Sequence, residues 1–493
     1  FVSTEAGSED FHLHPDDRFA IDAGTDLSTY FTTDIDSMPR SGSWDIGADE
    51  TATQIFRSVG PSKTDTLDND SGHTRSLTEL KNGTANFSAA LPDNIGVGDA
   101  VIIDTNNDEA ITSADTLLFI SKRNSPTSYQ LQTNDGSVPG DIPSNDTYQI
   151  YRAYTSLFNA EAGTINSTLS TMGFAFNGGD RDLVANNEQW NIACYANGTT
   201  ADTTGVTVAD WTTGPYNFFK IYTPVSVTEV GVSQMHGGKW DNGKYILEDD
   251  GTMGQIVTIA ISNVKIEGLQ ISNQWIGGFD VYTVLANSLL SEVYINNNIL
   301  KFSGSSSYGS GIVATNTNAG GGNLNVYNNI VYDFPSVGIS ALSVTTGSAN
   351  VFNNTVYNSG IGIYANWSNV VKNNIVQNCT NGFDGTFGAS SDYNISDISG
   401  DAPNASFTGG TADVLFIDEA NDDFRLSSDD TAAKGAGLNL SADADLSFFD
   451  DIRGQARPAS PAAWSIGASE SQGAGKIKLE GTQIKLEGDA KFE

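Results

Sequence analysis

The stretch "DTNNDEAITSAD", residues 104–115, is the part of this 493-residue chain whose residue types and spacing most directly suggest chemistry. Oxygen donors stand at the first, third, fifth, seventh, ninth and twelfth places: Asp104, Asn106, Asp108, the Ala110 carbonyl, Thr112 and Asp115. Calcium binds in this way, through carboxylates, amides and carbonyls spaced along one loop. Ile111 fills the eighth place, where such loops carry an aliphatic. Calcium is therefore the expected cofactor. Against it, Glu109 stands where the tight turn calls for Gly, and the flanks alternate like strands. A plain acidic β-turn is the competing reading.

Other reactive types are scattered. Asp180, Asp182 and Glu188 surround Arg181, and two carboxylates at suitable separation would serve glycoside hydrolysis. Turn and ion-pair roles are the more ordinary use of such a cluster. His236, between glycines and beside Trp240, would suit acid–base work or sugar stacking. His12 and His14 alternate on one strand. Gly72-His73 lacks the neighbouring Asp pair that galacturonan hydrolysis needs. Residues 290–400 hold just two basic side chains, Lys301 and Lys372, so a lyase base is hard to find there. No catalytic constellation emerges, and an enzyme is the less favoured expectation. Asn-x-Ser/Thr sequons at Asn82, Asn166, Asn197, Asn353, Asn366 and Asn394 mark expected glycosylation positions for an exported chain.

The elements that must position these residues are short strands. Hydrophobic residues make up 38% and charged residues only 17%, and the rest is largely Gly, Ser, Thr and Asn, which suits strands and turns rather than long helices. One phrase recurs: "NVYNNIVYDFPSVGI" (325–339), "NVFNNTVYNSGIGI" (350–363) and "NVVKNNIVQNCTNGF" (369–383). Asn329, Asn354, Asn374 and Asn394 are spaced by 25, 20 and 20 residues, the signature of stacked coils. The spacing predicts an all-β chain: a right-handed parallel β-helix with an added small β-domain and a C-terminal β-strand tail. Val326, Val351 and Val371 are expected to form one inward stack, and Ile330, Thr355 and Ile375 another. Asn329, Asn354 and Asn374 are the predicted structural ladder, each amide bonding to its neighbours above and below. Gly338, Gly362 and Gly382 are expected at the next corner. Tyr327, Phe352 and Tyr357 recur at stacked positions; they offer an aromatic platform for carbohydrate, with an internal aromatic stack as the alternative.

Residues 10–50 and 423–470 match each other. Asp34-Ile35 answers Asp451-Ile452, Arg40 answers Arg457, and "WDIGADE" (44–50) answers "WSIGASE" (464–470). The expected organisation is therefore a closing segment of a preceding β-helix unit (1–50), then a small β-domain or cap carrying the calcium loop (51–150). A parallel β-helix (151–415), its own closing segment (416–472) and a strand-forming tail (473–493) follow. In the tail, "KIKLEG" and "QIKLEG" alternate strictly, and Ile477, Leu479, Ile484 and Leu486 form a narrow apolar face. A hairpin of that size is marginal alone, so these residues are expected to join another sheet and drive assembly. The chain opens at Phe1 without Met or a leader and is read as processed or partially covered.

A net charge of −36 argues against nucleic acid and anionic membrane as partners, and no apolar run is long enough to span a bilayer. Two cysteines, Cys194 and Cys379, supply neither a zinc spacing nor a disulfide framework.

The 104–115 loop resembles the EF-hand-like loop of dockerin modules. More broadly, residues 152–247, the Asn-rich coils after them and the closing phrase 451–470 resemble exported, surface-type parallel β-helix repeat proteins of uncultured environmental bacteria. That resemblance implies a pectin-lyase-like β-helix and an extracellular or cell-surface setting, and supplies no catalytic residues. The expected function is a structural subunit of an extracellular fibre or surface assembly. The expected partner is the chain itself, a homopolymer packing head to tail through unpaired coil ends. A tailspike-like polysaccharide lyase or glycoside hydrolase, and a carbohydrate-binding adhesin, are the alternatives.

Overall fold

The computed structural model describes residues 13, 20, 24–35, 40, 44–48, 50–70, 76–106, 108, 110–143, 146–176, 178–249, 251, 255–277, 282–287, 292–315, 323–342, 348–366, 369–471, 476–480 and 483–487. His12, His14 and Gly72-His73 lie outside these. The fold is all-β, a parallel β-helix. Its first sheet stacks Thr53–Val59, Glu188–Cys194, Phe219–Tyr222, Val264–Glu267, Val293–Asn296, Asn323–Tyr327, Ser348–Phe352 and Val370–Lys372, all parallel. A second sheet of seven strands runs from Val206–Val208 to Asn381–Gly385, and a third of seven from Ile246–Glu248 to Ile395–Ser396. Among the described residues no helix is long and apolar enough to cross a membrane.

β-Branched residues recur at the same phase of each coil, so like stacks on like. Ile192, Ile221, Ile266, Ile295, Val326, Val351 and Val371 stand in register in the first sheet, and all are buried. Each such side chain contributes roughly 1.5–3 kcal/mol by leaving water. In the third sheet the inward column is Val331, Val356 and Val376. Ile330, Thr355 and Ile375, expected inside, face the other way. Ile330 and Ile375 pack with Leu426, Ile452 and Ile466 of the closing segment, and the Ala468 N–H donates to Thr355 Oγ1. The cause is the first Asn of each pair. Asn328, Asn353 and Asn373 have φ of 55, 51 and 57°, and one left-handed residue shifts the alternation by one place.

Gly338, Gly362 and Gly382 are not corner residues either. They lie inside strands of the second sheet, where a Cβ on Gly362 would sit 2.1 Å from Val376 Cγ1 and 2.6 Å from the Gly382 carbonyl oxygen. Missing volume, not backbone freedom, requires them.

Both ends of the stack are closed by the chain itself, contrary to the expectation of unpaired coil ends. Thr53–Val59 belongs to the first coil rather than to the small domain. The chain then leaves to build a seven-stranded antiparallel sheet spanning Asp68–Asn69 to Tyr148–Tyr151. One face of that sheet has its own core around Leu118, Tyr129 and Ile150. From the other face Ala100, Ile102 and Phe119 join the β-helix core. Arg57 stands in register with Ile192 at this lid, its guanidinium 3.6 Å from the centre of the Phe119 ring. Burial pulls the Arg57 pKa down to about 10. At the far end Asn404 stands in for a further coil: its Oδ1 accepts the Asn394 N–H at 2.7 Å and its Nδ2 donates to the Asn394 carbonyl at 2.9 Å. In the tail, Lys476–Glu480 pairs antiparallel with Gln483–Glu487, setting Ile477 opposite Leu486 and Leu479 opposite Ile484. Among the described residues this hairpin joins no other sheet.

Candidate functional site

The Asn pairs split into two columns with different work. The second Asn of each pair points inward and forms the ladder. Asn329 donates both its main-chain N–H and its Nδ2 to Asn354 Oδ1, each at 3.0 Å, and Asn354 repeats this on Asn374 at 2.9 and 3.1 Å. Asn374 does so on Asn394 at 3.1 and 3.0 Å, and Asn298 on Asn329 at 3.0 and 3.1 Å. Each amide also caps a main-chain carbonyl of the preceding coil, as Asn354 does with Val326 at 2.9 Å. Asn298 and Asn404 were missed as members. The phrase "YINNNIL" carried the signal for Asn298, whereas Asn404 sits outside any repeat.

The first Asn of each pair points outward and holds residues 437–470 along the corner between the first and third sheets. Asn353 Nδ2 donates to the Ser465 and Gly467 carbonyls at 3.2 and 3.0 Å. Asn373 exchanges bonds with the Leu438 main chain, both at 2.9 Å, and its carbonyl accepts the Gly467 N–H at 2.8 Å. Asn328 donates to the Asp450 carbonyl at 3.0 Å and accepts from Arg457 Nη2 at 2.9 Å. Apolar burial accompanies these bonds. Ile452 and Ile466 are fully buried on the Ile330/Ile375 column, and Phe448 and Trp464 cover Tyr327 and Phe352. The expected aromatic platform is thus spent inside the molecule. Phe352 is fully buried, and Tyr357 packs on Phe424 with centroids 4.6 Å apart. Lys372 is held beneath the same segment by Asp443 and Asp445, at 2.7 and 3.1 Å.

This clamp has a polar pin. Arg457 Nη1 donates to Glu470 Oε2 at 3.2 Å, Nη2 to the Gly467 carbonyl at 3.0 Å, and the Ser465 N–H to Glu470 Oε2 at 2.9 Å. The N-terminal stretch repeats these three bonds. Arg40 Nη1 donates to Glu50 Oε2 at 3.0 Å, Nη2 to the Gly47 carbonyl at 2.8 Å, and the Asp45 N–H to Glu50 Oε2 at 3.0 Å. The Ile35 N–H to Ala48 and Ile452 N–H to Ala468 bonds are both 2.9 Å. The rings match too: Phe31–Trp44 centroids are 5.1 Å apart and Phe448–Trp464 centroids 5.2 Å. The described chain thus contains one β-helix and two clamps.

A second cluster lies on the outward face of the first sheet, where Lys220, Lys265 and Tyr294 are in register beside Glu267. Lys220 Nζ is 2.7 Å from Glu267 Oε2, Lys265 Nζ lies 3.7 Å from the Phe218 ring centre, and the Tyr294 hydroxyl donates to Glu292 at 2.7 Å. Burial, with Lys220 nearby, pulls the Lys265 pKa to about 8, and burial with Glu292 pushes Tyr294 up to about 12. Two lysines and a tyrosine beside carboxylates on one sheet face are the group here whose types would suit proton transfer. The shared "K-I" phrase of "FKIY" and "VKIE" was the signal for this cluster, legible only once the strands are in register.

The other candidates have structural work. In the 104–115 loop, Asn106 Oδ1 accepts from the Asp108 N–H, Asp108 Oδ1 from the Ala110 N–H and Asp115 Oδ2 from the Thr112 N–H, at 2.9, 2.9 and 2.8 Å. The Thr112 hydroxyl takes the Ala114 N–H, and Asp104 Oδ2 the Thr147 hydroxyl. Among the described residues no three His, Cys, Asp or Glu side chains gather as a metal would require. One oxygen each of Asn106, Asp108 and Asp115 is thus engaged in a turn, while Asp115 Oδ1 is buried without a hydrogen-bond partner. Arg181 holds Glu188, and Asp182 caps the short helix Leu183–Asn186. His236 is buried: Nε2–H donates to the Asn297 carbonyl at 2.9 Å, Nδ1 accepts from Gly238, and burial pulls its pKa to about 4. Three sequons are unavailable. Asn166, Asn353 and Asn394 are fully buried with Nδ2 donating to main-chain carbonyls, the atom a glycan would need. Asn82 is exposed, and Asn197 and Asn366 are half-buried.

Set against known proteins, the chain matches no family model, no curated protein and no solved structure.

Proposed function

We propose that the chain is a structural β-helix unit of an extracellular fibre or surface assembly, in which units follow one another head to tail. The observation that carries this reading is the duplicated clamp: one β-helix, two closing segments with the same internal hydrogen bonds. With the coil ends closed, this reading takes the clamps as the joining surfaces in place of the strand edges to which the sequence pointed. The sequence resemblance to exported β-helix repeat proteins supports the extracellular setting. The exposed Asn82 sequon would carry a glycan there, and the 476–487 hairpin would add a lateral contact. Calcium belongs to the same proposal only as an ion that displaces the turn hydrogen bonds of the 104–115 loop. Negative-stain imaging of the purified chain, with a polysaccharide panel, tests the reading. Elongated particles that release no sugar are expected, joining end to end once the C-terminal clamp is loosened; separate particles that release oligosaccharide overturn it.

A second reading rests on the Lys265 cluster: a polysaccharide-acting or carbohydrate-binding face on the first sheet. It requires Lys265→Met to abolish glycan binding or cleavage; unchanged behaviour removes it.

A further inference from the structure

Ile452 and Ile466 of the C-terminal clamp are fully buried against the coils, yet their counterparts Ile35 and Ile46 are 69% and 55% exposed. The Arg-to-Glu and Arg-to-Gly bonds of the polar pin are nevertheless made, with the Arg40 and Glu50 side chains each 2% exposed; only the bond that Arg457 Nε makes to the Asp450 carbonyl has no counterpart at Arg40 Nε. The N-terminal clamp has therefore reached its folded form with its docking face bare. We propose that residues 24–50 dock onto the Asn-edged corner of a second β-helix unit of this design. There Ile35 and Ile46 cover an Ile/Thr column like Ile330–Thr355–Ile375, and the Gly47 and Ala48 amides take the places of Gly467 and Ala468.

The occupant is set by the C-terminal clamp, whose counterparts of these groups sit on such a corner. The Gly467 N–H donates to the Asn373 carbonyl at 2.8 Å and the Ala468 N–H to Thr355 Oγ1 at 3.0 Å. A flat lipid or glycan surface offers no alternating amide and aliphatic columns at coil spacing. The chain's own corner is already filled by residues 437–470, tethered at high effective concentration, so the intact chain does not exchange clamps with another copy. Docking requires a corner whose own clamp is absent or loosened. This inference rests on the structural reading above and names the surface that joins the units.

The test uses the full chain with Trp464→Ala, which loosens the C-terminal clamp and leaves the N-terminal one intact. Light scattering should show a concentration-dependent rise in mass, at least a doubling, that the wild type lacks. Adding Ile35→Asp and Ile46→Asp should return it to the wild-type mass. Circular dichroism checks folding, and Arg457→Gln replaces Trp464→Ala if the latter loses the β spectrum. Association that persists with both aspartates in place, or no association in a folded, clamp-loosened chain, overturns the inference. Rods formed by the wild type and unaffected by Ile35→Asp/Ile46→Asp would leave the structural reading standing and remove only this docking face. Glycan cleavage by separate particles would remove that reading whatever residues 24–50 do.

Discussion

Asn354→Ala removes one rung from the middle of the ladder. The Asn354 side chain accepts from the Asn329 N–H and Nδ2 and donates to the Val326 carbonyl, the Phe352 carbonyl and Asn374 Oδ1. Some of these partners keep a second bond. Asn329 Nδ2 retains the Ile295 and Tyr327 carbonyls, and the Phe352 carbonyl retains the Asn328 N–H. The Asn329 N–H loses its side-chain acceptor in a fully buried position. A stranded buried amide costs about 1–3 kcal/mol and each lost neutral bond a net ~0.5–1.5 kcal/mol. The expected loss is about 3–5 kcal/mol. The backbone is not the cause, because the left-handed residue is Asn353 rather than Asn354.

The assay must be local as well as global, since a long stack need not unfold in one step. Urea unfolding gives the global change, and hydrogen exchange at Asn329 reads the stranded amide. Asn358→Gly is the control: Asn358 is an exposed corner Asn with φ of 50°, which Gly tolerates, and giving up its Nδ2 bond to Asp333 should cost about 0.5–1.5 kcal/mol. The Asn354→Asp variant keeps the shape but turns an oxygen towards the Val326 carbonyl. Its carboxyl pKa is raised above the unfolded value, so the variant is weakest at neutral pH and recovers as pH falls. An Asn354→Ala cost under about 1 kcal/mol, or no greater than that of Asn358→Gly, refutes the ladder as a source of stability.

Three further outcomes are expected. His236 has a folded pKa of about 4 against 6.5 when free, so its contribution is complete above 6.5 and is lost as pH falls towards 4; at most about 3 kcal/mol is involved. His236→Asn should flatten the pH dependence in that window, and parallel wild-type and variant curves would contradict it. Gly362→Ala should cost about 1–3 kcal/mol or more by overpacking, against almost nothing for Gly140→Ala, where a Cβ meets no atom within 4 Å; equal denaturation midpoints would contradict it. Calorimetry with calcium should give binding heat lost in Asp104→Ala/Asp108→Ala if the loop takes the ion, and unchanged heats remove calcium from the proposal.

The coil class and the inner ladder were legible because they depend on like residues recurring at one spacing. Asn329, Asn354 and Asn374 announce themselves that way. What was not legible depended on phase. Ile330 and Val331 are both β-branched, and only the positive φ of Asn328 decides which faces the core. The glycines misled for a related reason. Gly362 looks like a turn residue, but its role is set by Val376, fourteen residues away in sequence and one coil away in space. The aromatics misled because Tyr327 and Phe352 do point outward, and only the return of residues 437–470 covers them. Calcium spacing is a signal of another kind: it fixes the order of the donors but not that Asn106, Asp108 and Asp115 each turn one oxygen to an amide of their own loop.

The two clamps separate the forces that are usually mixed in a packed segment. Their shape comes from a local pin, Arg to Glu and Arg to Gly carbonyl, all within residues 40–50 or 457–470. Their adhesion comes from aliphatic side chains that the pin holds on one side. Because the pin spans few residues, closing it needs no β-helix beneath, which is why Arg40 and Glu50 are buried while Ile35 and Ile46 are bare. In the proposed array such parts would set the joint by local chemistry and the neighbour by the Asn column, so that one clamp design would fit any unit that keeps an outward Asn at each left-handed corner. Replacing Asn353 should accordingly loosen the C-terminal clamp while leaving the inner rung at Asn354 intact.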